Sequence, residues 1–110
     1  GVLELRELQD LSLAGNCLTV LPEGLGALTN LKRLGLAGNR LTQLPASIGQ
    51  LTQLELLTVH GNLLQRVPDT VSQLASLRSL NLSGNRLREL PDVWSSLTEL
   101  QELSLSGNLL

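Results

Sequence analysis

The chain has 110 residues, a formal net charge of −2 and one cysteine, so it forms at most one compact domain and has no internal disulfide bond. Its eight basic residues are interspersed with ten acidic ones, which excludes a basic tract that follows a phosphate backbone, and we expect no nucleic-acid partner. The uninterrupted apolar runs are only two or three residues long, which excludes a membrane-spanning segment.

A repeat of 23 residues runs through the chain without insertion or deletion. Val2 and Leu5 belong to a partial first copy, and a partial last copy begins at Leu100. Four full copies lie between them, at 8–30, 31–53, 54–76 and 77–99. We interpret residues 1–110 as one repeat domain, and as a fragment of a longer array because neither end carries a polar capping repeat.

Each copy is predicted to begin with a short strand and a turn. Leu34 and Leu36 show the period of two that is typical of a strand with one buried face. A Gly-Asn pair follows, where glycine permits a positive φ or a close approach of neighbouring coils. The asparagine amide both donates and accepts, so we expect stacked asparagines to satisfy the backbone groups of the turns. These structural residues are Asn16, Asn39, Asn62, Asn85 and Asn108.

A helical segment follows the turn in each copy. A proline fixes φ where this segment begins, and its missing N–H costs nothing there. In the second copy, Leu44, Ile48 and Leu51 then follow at spacings of three and four residues, which predicts one or two helical turns. Trp94 takes the slot of Ile48 in the fourth full copy. We expect it in the core, with extension of its large side chain to the convex surface as the alternative.

A single copy cannot fold alone. Its seven apolar residues bury too little surface to offset the entropy cost of ordering 23 residues. The coils must therefore stack, with their strands paired in parallel about 4.8 Å apart.

The pattern LxxLxLxxNxLxxLPxxIxxLxx, which 31–53 fill completely, resembles the leucine-rich repeat over the whole chain. Its 23-residue form is similar to the Ras-group repeats of intracellular scaffold proteins. The resemblance implies an α/β fold, namely a right-handed leucine-rich repeat solenoid with a parallel β-sheet on the concave face and short helical or 3-10 segments on the convex face. It also implies a cytoplasmic protein-interaction module that has no catalytic activity and needs no cofactor.

Strand residues outside the core form the predicted concave face. Leu56 is the apolar member of a polar column, and it either covers its neighbours or anchors a partner. Lys32, Glu55 and Arg78 alternate in sign, as a cross-strand charge ladder or as a rim that selects an acidic partner. His60 is a solvated polar residue or a pH-sensitive contact. The predicted partner-binding set is Lys32, Arg33, Glu55, Leu56, His60, Arg78 and Asn81.

We predict no enzymatic chemistry. Cys17 and His60 lie two coils apart, about 10 Å or more, which is too far for a nucleophile and its base. One histidine and one cysteine cannot build a zinc site, and the carboxylates are scattered, so no catalytic residue or metal ligand is assigned.

Three functional hypotheses remain open at this point. The first is a protein-recognition module of an intracellular scaffold or signalling protein, which predicts that alanine substitutions on the concave face weaken binding. The second is the substrate-selecting or sensor region of a larger enzyme, such as a kinase, GTPase, ubiquitin ligase or immune receptor. The third is a spacer, on which the concave charges can be exchanged without effect.

Overall fold

The computed structural model describes residues 7–92 and 94–110. Val2 and Leu5, assigned to the partial first copy, lie outside the described residues. Five parallel strands form one sheet in chain order, which confirms the predicted pairing. Leucines at the middle of each strand pair with one another along a single row. The strands are β1 Asp10–Ser12, β2 Arg33–Gly35, β3 Leu56–Thr58, β4 Ser79–Asn81 and β5 Glu102–Ser104.

Short 3-10 helices return the chain from one strand to the next. They are η1 Glu23–Ala27, η2 Ala46–Gln50, η3 Asp69–Gln73 and η4 Trp94–Ser96. Pro45 caps η2 with φ −68° and ψ 150°, and its carbonyl accepts a hydrogen bond of 3.0 Å from the Ile48 N–H. Pro22 and Pro68 do the same for η1 and η3. Because proline is restricted to this φ, it favours the bend that starts each return segment.

One continuous core of leucine, isoleucine and valine lies between the sheet and the 3-10 helices. Leu34 and Leu57 contribute to it from the sheet, Ile48 contributes to it from η2, and each of the three is at most 1% exposed. Trp94 packs against this core but is only partly buried. Its slot is sized for leucine, isoleucine or valine in the other coils, so the larger indole extends beyond it.

Asparagine side chains join each turn to the preceding coil. Asn62 Oδ1 accepts a hydrogen bond of 3.1 Å from the Leu41 N–H, and Asn62 Nδ2 donates to the carbonyls of Leu36 at 2.9 Å and Val59 at 3.0 Å. Asn39 and Asn85 form equivalent sets of hydrogen bonds. The glycine before each of the five repeated asparagines has a φ of 65° to 71°, a conformation that residues with a side chain disfavour. The amides therefore hold consecutive coils in register.

Ser47 is a buried polar residue of η2 whose hydroxyl has no hydrogen-bond partner within the described structure. Removing an unsatisfied buried hydroxyl eliminates a desolvation cost and creates almost no cavity. We therefore expect Ser47→Ala to leave the free energy of unfolding unchanged or to raise it by up to about 1 kcal/mol, measured by urea denaturation. Ser95→Ala, at an exposed position of η4, is the control. A loss of stability at position 47 alone would show that the hydroxyl is used.

No helix within the described part of the chain is long and apolar enough to cross a membrane.

Candidate functional site

The strands present two columns of outward-facing residues on the concave face. The first column is Asp10, Arg33, Leu56, Ser79 and Glu102, and the second is Ser12, Gly35, Thr58, Asn81 and Ser104. In-register pairing brings equivalent positions side by side at a spacing of about 4.8 Å. Arg33, Leu56 and Asn81, all predicted to bind a partner, therefore share one surface.

A shallow depression of about 380 Å³ lies over β1, β2 and β3. Gly35, on the middle one of these three strands, lines it, and a Cβ atom there would lie 3.5 Å from Ser12 Oγ and 3.6 Å from Thr58 Oγ1. These are ordinary contact distances, so only the absence of a side chain keeps the space open. Half-buried Leu56 and residue Leu34 also line this depression. Leu56 thus gives the depression an apolar wall beside the small residues Ser12, Gly35 and Thr58.

Arg33 and Asp10 form an ion pair beside this depression, with 3.0 Å between Nη1 and Oδ1. The hydrogen bond from Arg33 to Asp10, and then the attraction between their charges, raise the pKa of Arg33, and Glu55 adds a smaller attraction. Both side chains are about three-fifths exposed, at 60% and 62%, so water screens the pair. This pair was not predicted, although opposite charges one repeat apart in one column were a usable signal.

Lys32, Glu55 and Arg78 lie immediately before the strands, where backbone hydrogen bonds of 2.7 and 2.8 Å join neighbouring coils. Within the described residues these three side chains form no ion pair with one another, so the charge ladder is not formed. Glu55 and Arg78 instead line a second depression with Ala75, Ser76 and Glu99. Their role as a partner-selecting rim stays a prediction.

His60 and Asn81 lie toward the opposite margin of the concave face. His60 is half-buried, and its Nδ1 has no hydrogen-bond partner in the described structure. Asn81 Oδ1 accepts hydrogen bonds from the Ser83 N–H at 3.1 Å and from the Ser83 hydroxyl at 2.7 Å. The Asn81 oxygen is therefore already bound within the chain, which leaves the amide NH₂ group as the part suited to a partner.

Cys17 lies exposed on the first turn, with a φ of 56°. Across residues 7–92 and 94–110, no cluster of three or more histidine, cysteine, aspartate or glutamate side chains has the arrangement to hold a metal ion. The concave face therefore offers a partner the apolar depression at Gly35 and the charged groups beside it.

Comparison with known proteins agrees with the architecture. A family model described as a leucine-rich repeat region matches residues 2–108. No curated protein sequence matches the chain. Among solved structures, a leucine-rich repeat protein of Leptospira interrogans is 40% identical over 97% of this chain, with a TM-score of 0.94. This chain spans 27% of the length of that protein. The predicted solenoid fold is confirmed.

Proposed function

Because the chain belongs to the leucine-rich repeat family, we propose that it is a protein-binding domain that holds its partner on the concave face. The observation that carries this proposal is the apolar depression at Gly35, beside Leu56 and the Arg33–Asp10 pair. Protein interfaces commonly combine an apolar anchor in a pocket with a polar rim around it. Strand positions suit such a site because the paired sheet fixes their backbone before binding.

The anchor of the partner is an aliphatic side chain that enters the space above Gly35 and packs on Leu56. Arg33, oriented by Asp10, lies beside it and donates to an acceptor on the partner. Lys32 and Arg78 form the basic part of the rim and Glu55 its acidic part, so charge selects which partners approach. His60 and Asn81 contact the partner at the far margin of the same face.

We further propose that the domain is of the Ras-group type and acts in a cytoplasmic scaffold or signalling protein. The support is the uninterrupted 23-residue period and the single cysteine. As an alternative, the same face selects substrates or senses ligands for a larger enzyme. The two proposals share the concave site and differ in the parent chain, so sequencing the gene on both sides of this segment separates them.

Site-specific photo-crosslinking tests where the partner binds. A benzophenone amino acid placed at Ser79, beside Leu56 on the sheet, should give one discrete protein adduct in an extract of the source cells. The same label at Gln73, an exposed residue at the end of η3 on the convex face, should not give that adduct. Equal adducts from both positions would contradict concave binding.

The partner so identified allows a test of the anchor. Leu56→Ala should weaken its binding about thirtyfold or more, because truncating a central apolar anchor costs about 2 kcal/mol or more. The matched control is Val20→Ala, which shortens an apolar side chain that is 67% exposed and lies off the sheet. Titration calorimetry measures both. If affinity is unchanged by Leu56→Ala and by exchanging the concave charges, the spacer hypothesis replaces this one.

A further inference from the structure

The charged residues of the chain are segregated. Three segments that each begin at a repeated asparagine hold four of the eight basic residues and one of the ten acidic residues. These segments are 39–43, 62–66 and 85–89. The rest of the chain holds four basic and nine acidic residues. A molecule with a net charge of −2 therefore carries a locally positive flank beside the asparagine turns.

Three arginines on this flank surround one depression. Arg66, Arg86 and Arg88 line a space of about 370 Å³ together with Gln65, Glu89 and Leu109. Backbone hydrogen bonds hold the neighbouring segments in place: the Arg86 N–H donates to the Leu64 carbonyl at 2.9 Å. The arginines are thus brought together by adjacent coils and are all exposed to solvent.

These arginines have no ion-pair partner among the described residues, although Asp69 and Glu89 line a neighbouring depression with Arg66. Among the described residues, no carboxylate lies within ion-pair distance of Arg66, Arg86 or Arg88, and the observed pair is Arg33–Asp10 on another face. Glu89 shares the depression but does not pair with them. Three guanidinium groups whose charge is not neutralised within the fold attract an external anion.

We propose that this arginine flank, defined by Arg66, Arg86 and Arg88, is a second binding surface and that it takes an acidic peptide segment rich in glutamate or aspartate. Guanidinium groups bind carboxylates through paired, charge-assisted hydrogen bonds, which a peptide with several carboxylates can form at more than one arginine. A nucleic acid fits less well, because binding a phosphate backbone needs a longer positive path than three arginines provide. The proposal does not depend on the concave site.

The test uses a short fluorescein-labelled peptide of alternating glutamate and glycine, with fluorescence anisotropy as the measurement. The unmodified chain should bind it, with affinity falling as salt is raised, and should not bind the same peptide with glutamine in place of glutamate. Arg86→Gln combined with Arg88→Gln should weaken binding by about tenfold or more. Arg86→Lys with Arg88→Lys should fall between, because lysine keeps the charge but not the paired hydrogen bonds.

The matched control is Thr29→Glu with Thr52→Glu, which lowers the net charge by the same two units at exposed positions outside both binding surfaces and should leave peptide binding nearly unchanged. Equal losses in this variant and in the double glutamine variant would mean that binding follows total charge, and would overturn the proposal. So would absence of binding by the unmodified chain. A single-stranded oligonucleotide of similar charge that binds more tightly through the same arginines would overturn the choice of partner. Displacement of the peptide by inorganic phosphate at equal concentration would also overturn the choice of partner, because the surface would then bind simple anions without preference for a peptide.

Discussion

Replacing Asn62 with alanine should lower the free energy of unfolding by about 3 kcal/mol, the largest loss we predict for a single substitution. The Leu41 N–H would lose its acceptor inside the fold, and an orphaned buried donor costs about 1–3 kcal/mol. The carbonyls of Leu36 and Val59 would each keep one asparagine partner, Asn39 and Asn85, so these two lost hydrogen bonds add about 1 kcal/mol each or less. Chemical denaturation followed by circular dichroism measures the sum.

Asn16→Ala is the matched control for that experiment. Asn16 has the same slot in the first described coil but is exposed, and its Nδ2 donates to the Leu13 carbonyl at 2.8 Å. Water can replace the lost amide there, so we expect a loss of about 1 kcal/mol or less. Equal losses at positions 16 and 62 would show that burial of the amide is not the source of its effect.

The Asn62→Asp variant tests the acceptor and the donor roles of the Asn62 amide separately. The carboxylate keeps an acceptor for the Leu41 N–H but turns its second oxygen toward two carbonyl oxygens. The folded state therefore favours the protonated carboxyl, which can donate a hydrogen bond. The free energy of unfolding of this variant should be lowest at neutral pH and should rise as the pH falls. A variant whose stability does not rise on acidification relative to the unmodified chain would contradict this assignment of donor and acceptor.

The stacking of coils of equal length explains which features the sequence could predict. A period of 23 residues without gaps determines which residues stack, so the leucine row, the parallel register and the turns at the asparagines follow directly. Each of these features involves burial or backbone hydrogen bonding that is repeated in every coil. Trp94 packs against the core as expected but is only partly buried, because the period specifies a slot and not whether an indole fits in it.

Side-chain pairing on the surface was harder to predict. The alternating column of Lys32, Glu55 and Arg78 suggested a ladder that is not formed, whereas Arg33 pairs with Asp10. Pairs at exposed positions differ by only tenths of a kcal/mol, so rotamer preferences and hydration decide between them. The depression at Gly35 has a similar origin: it depends on which neighbours of a glycine are small, which the repeat pattern does not specify.

The coil stacking also bears on binding. The concave residues are carried on strands that are only three residues long, so their positions depend on the turns and the 3-10 helices that hold each coil. Loss of the asparagine bonds should therefore weaken partner binding as well as stability, although Asn62 itself is buried and faces no partner.

Gly49→Ala should lower the free energy of unfolding by about 2 kcal/mol, because the convex face has no room for one more methyl group. Successive 3-10 helices pack side by side there. A Cβ atom at Gly49 would lie 2.6 Å from the Thr70 carbonyl oxygen and 2.8 Å from Thr70 Cβ. The backbone of η3 cannot yield without separating two coils whose strands are paired, so the overlap must be relieved by displacing both coils. The repeat pattern gave no sign of this requirement, since equivalent positions in the later copies are serines, Ser72 and Ser95.

Two further glycines of the 3-10 helices make the test internally controlled. At Gly24 a Cβ atom would meet nothing within 4 Å, so Gly24→Ala should be neutral or raise stability by up to about 1 kcal/mol through a less flexible unfolded chain. At Gly26 it would meet the Gln50 side-chain oxygen, which can rotate away, and Ser47 Cβ at 2.9 Å, so the loss should be intermediate. The expected order of stability is Gly24→Ala, then Gly26→Ala, then Gly49→Ala, measured by urea denaturation. Glycine's flexibility in the unfolded chain is common to positions 24 and 49, so it cannot make the two alanine variants differ. If Gly24→Ala and Gly49→Ala had the same free energy of unfolding, the close approach of η2 and η3 would not explain the glycine at position 49.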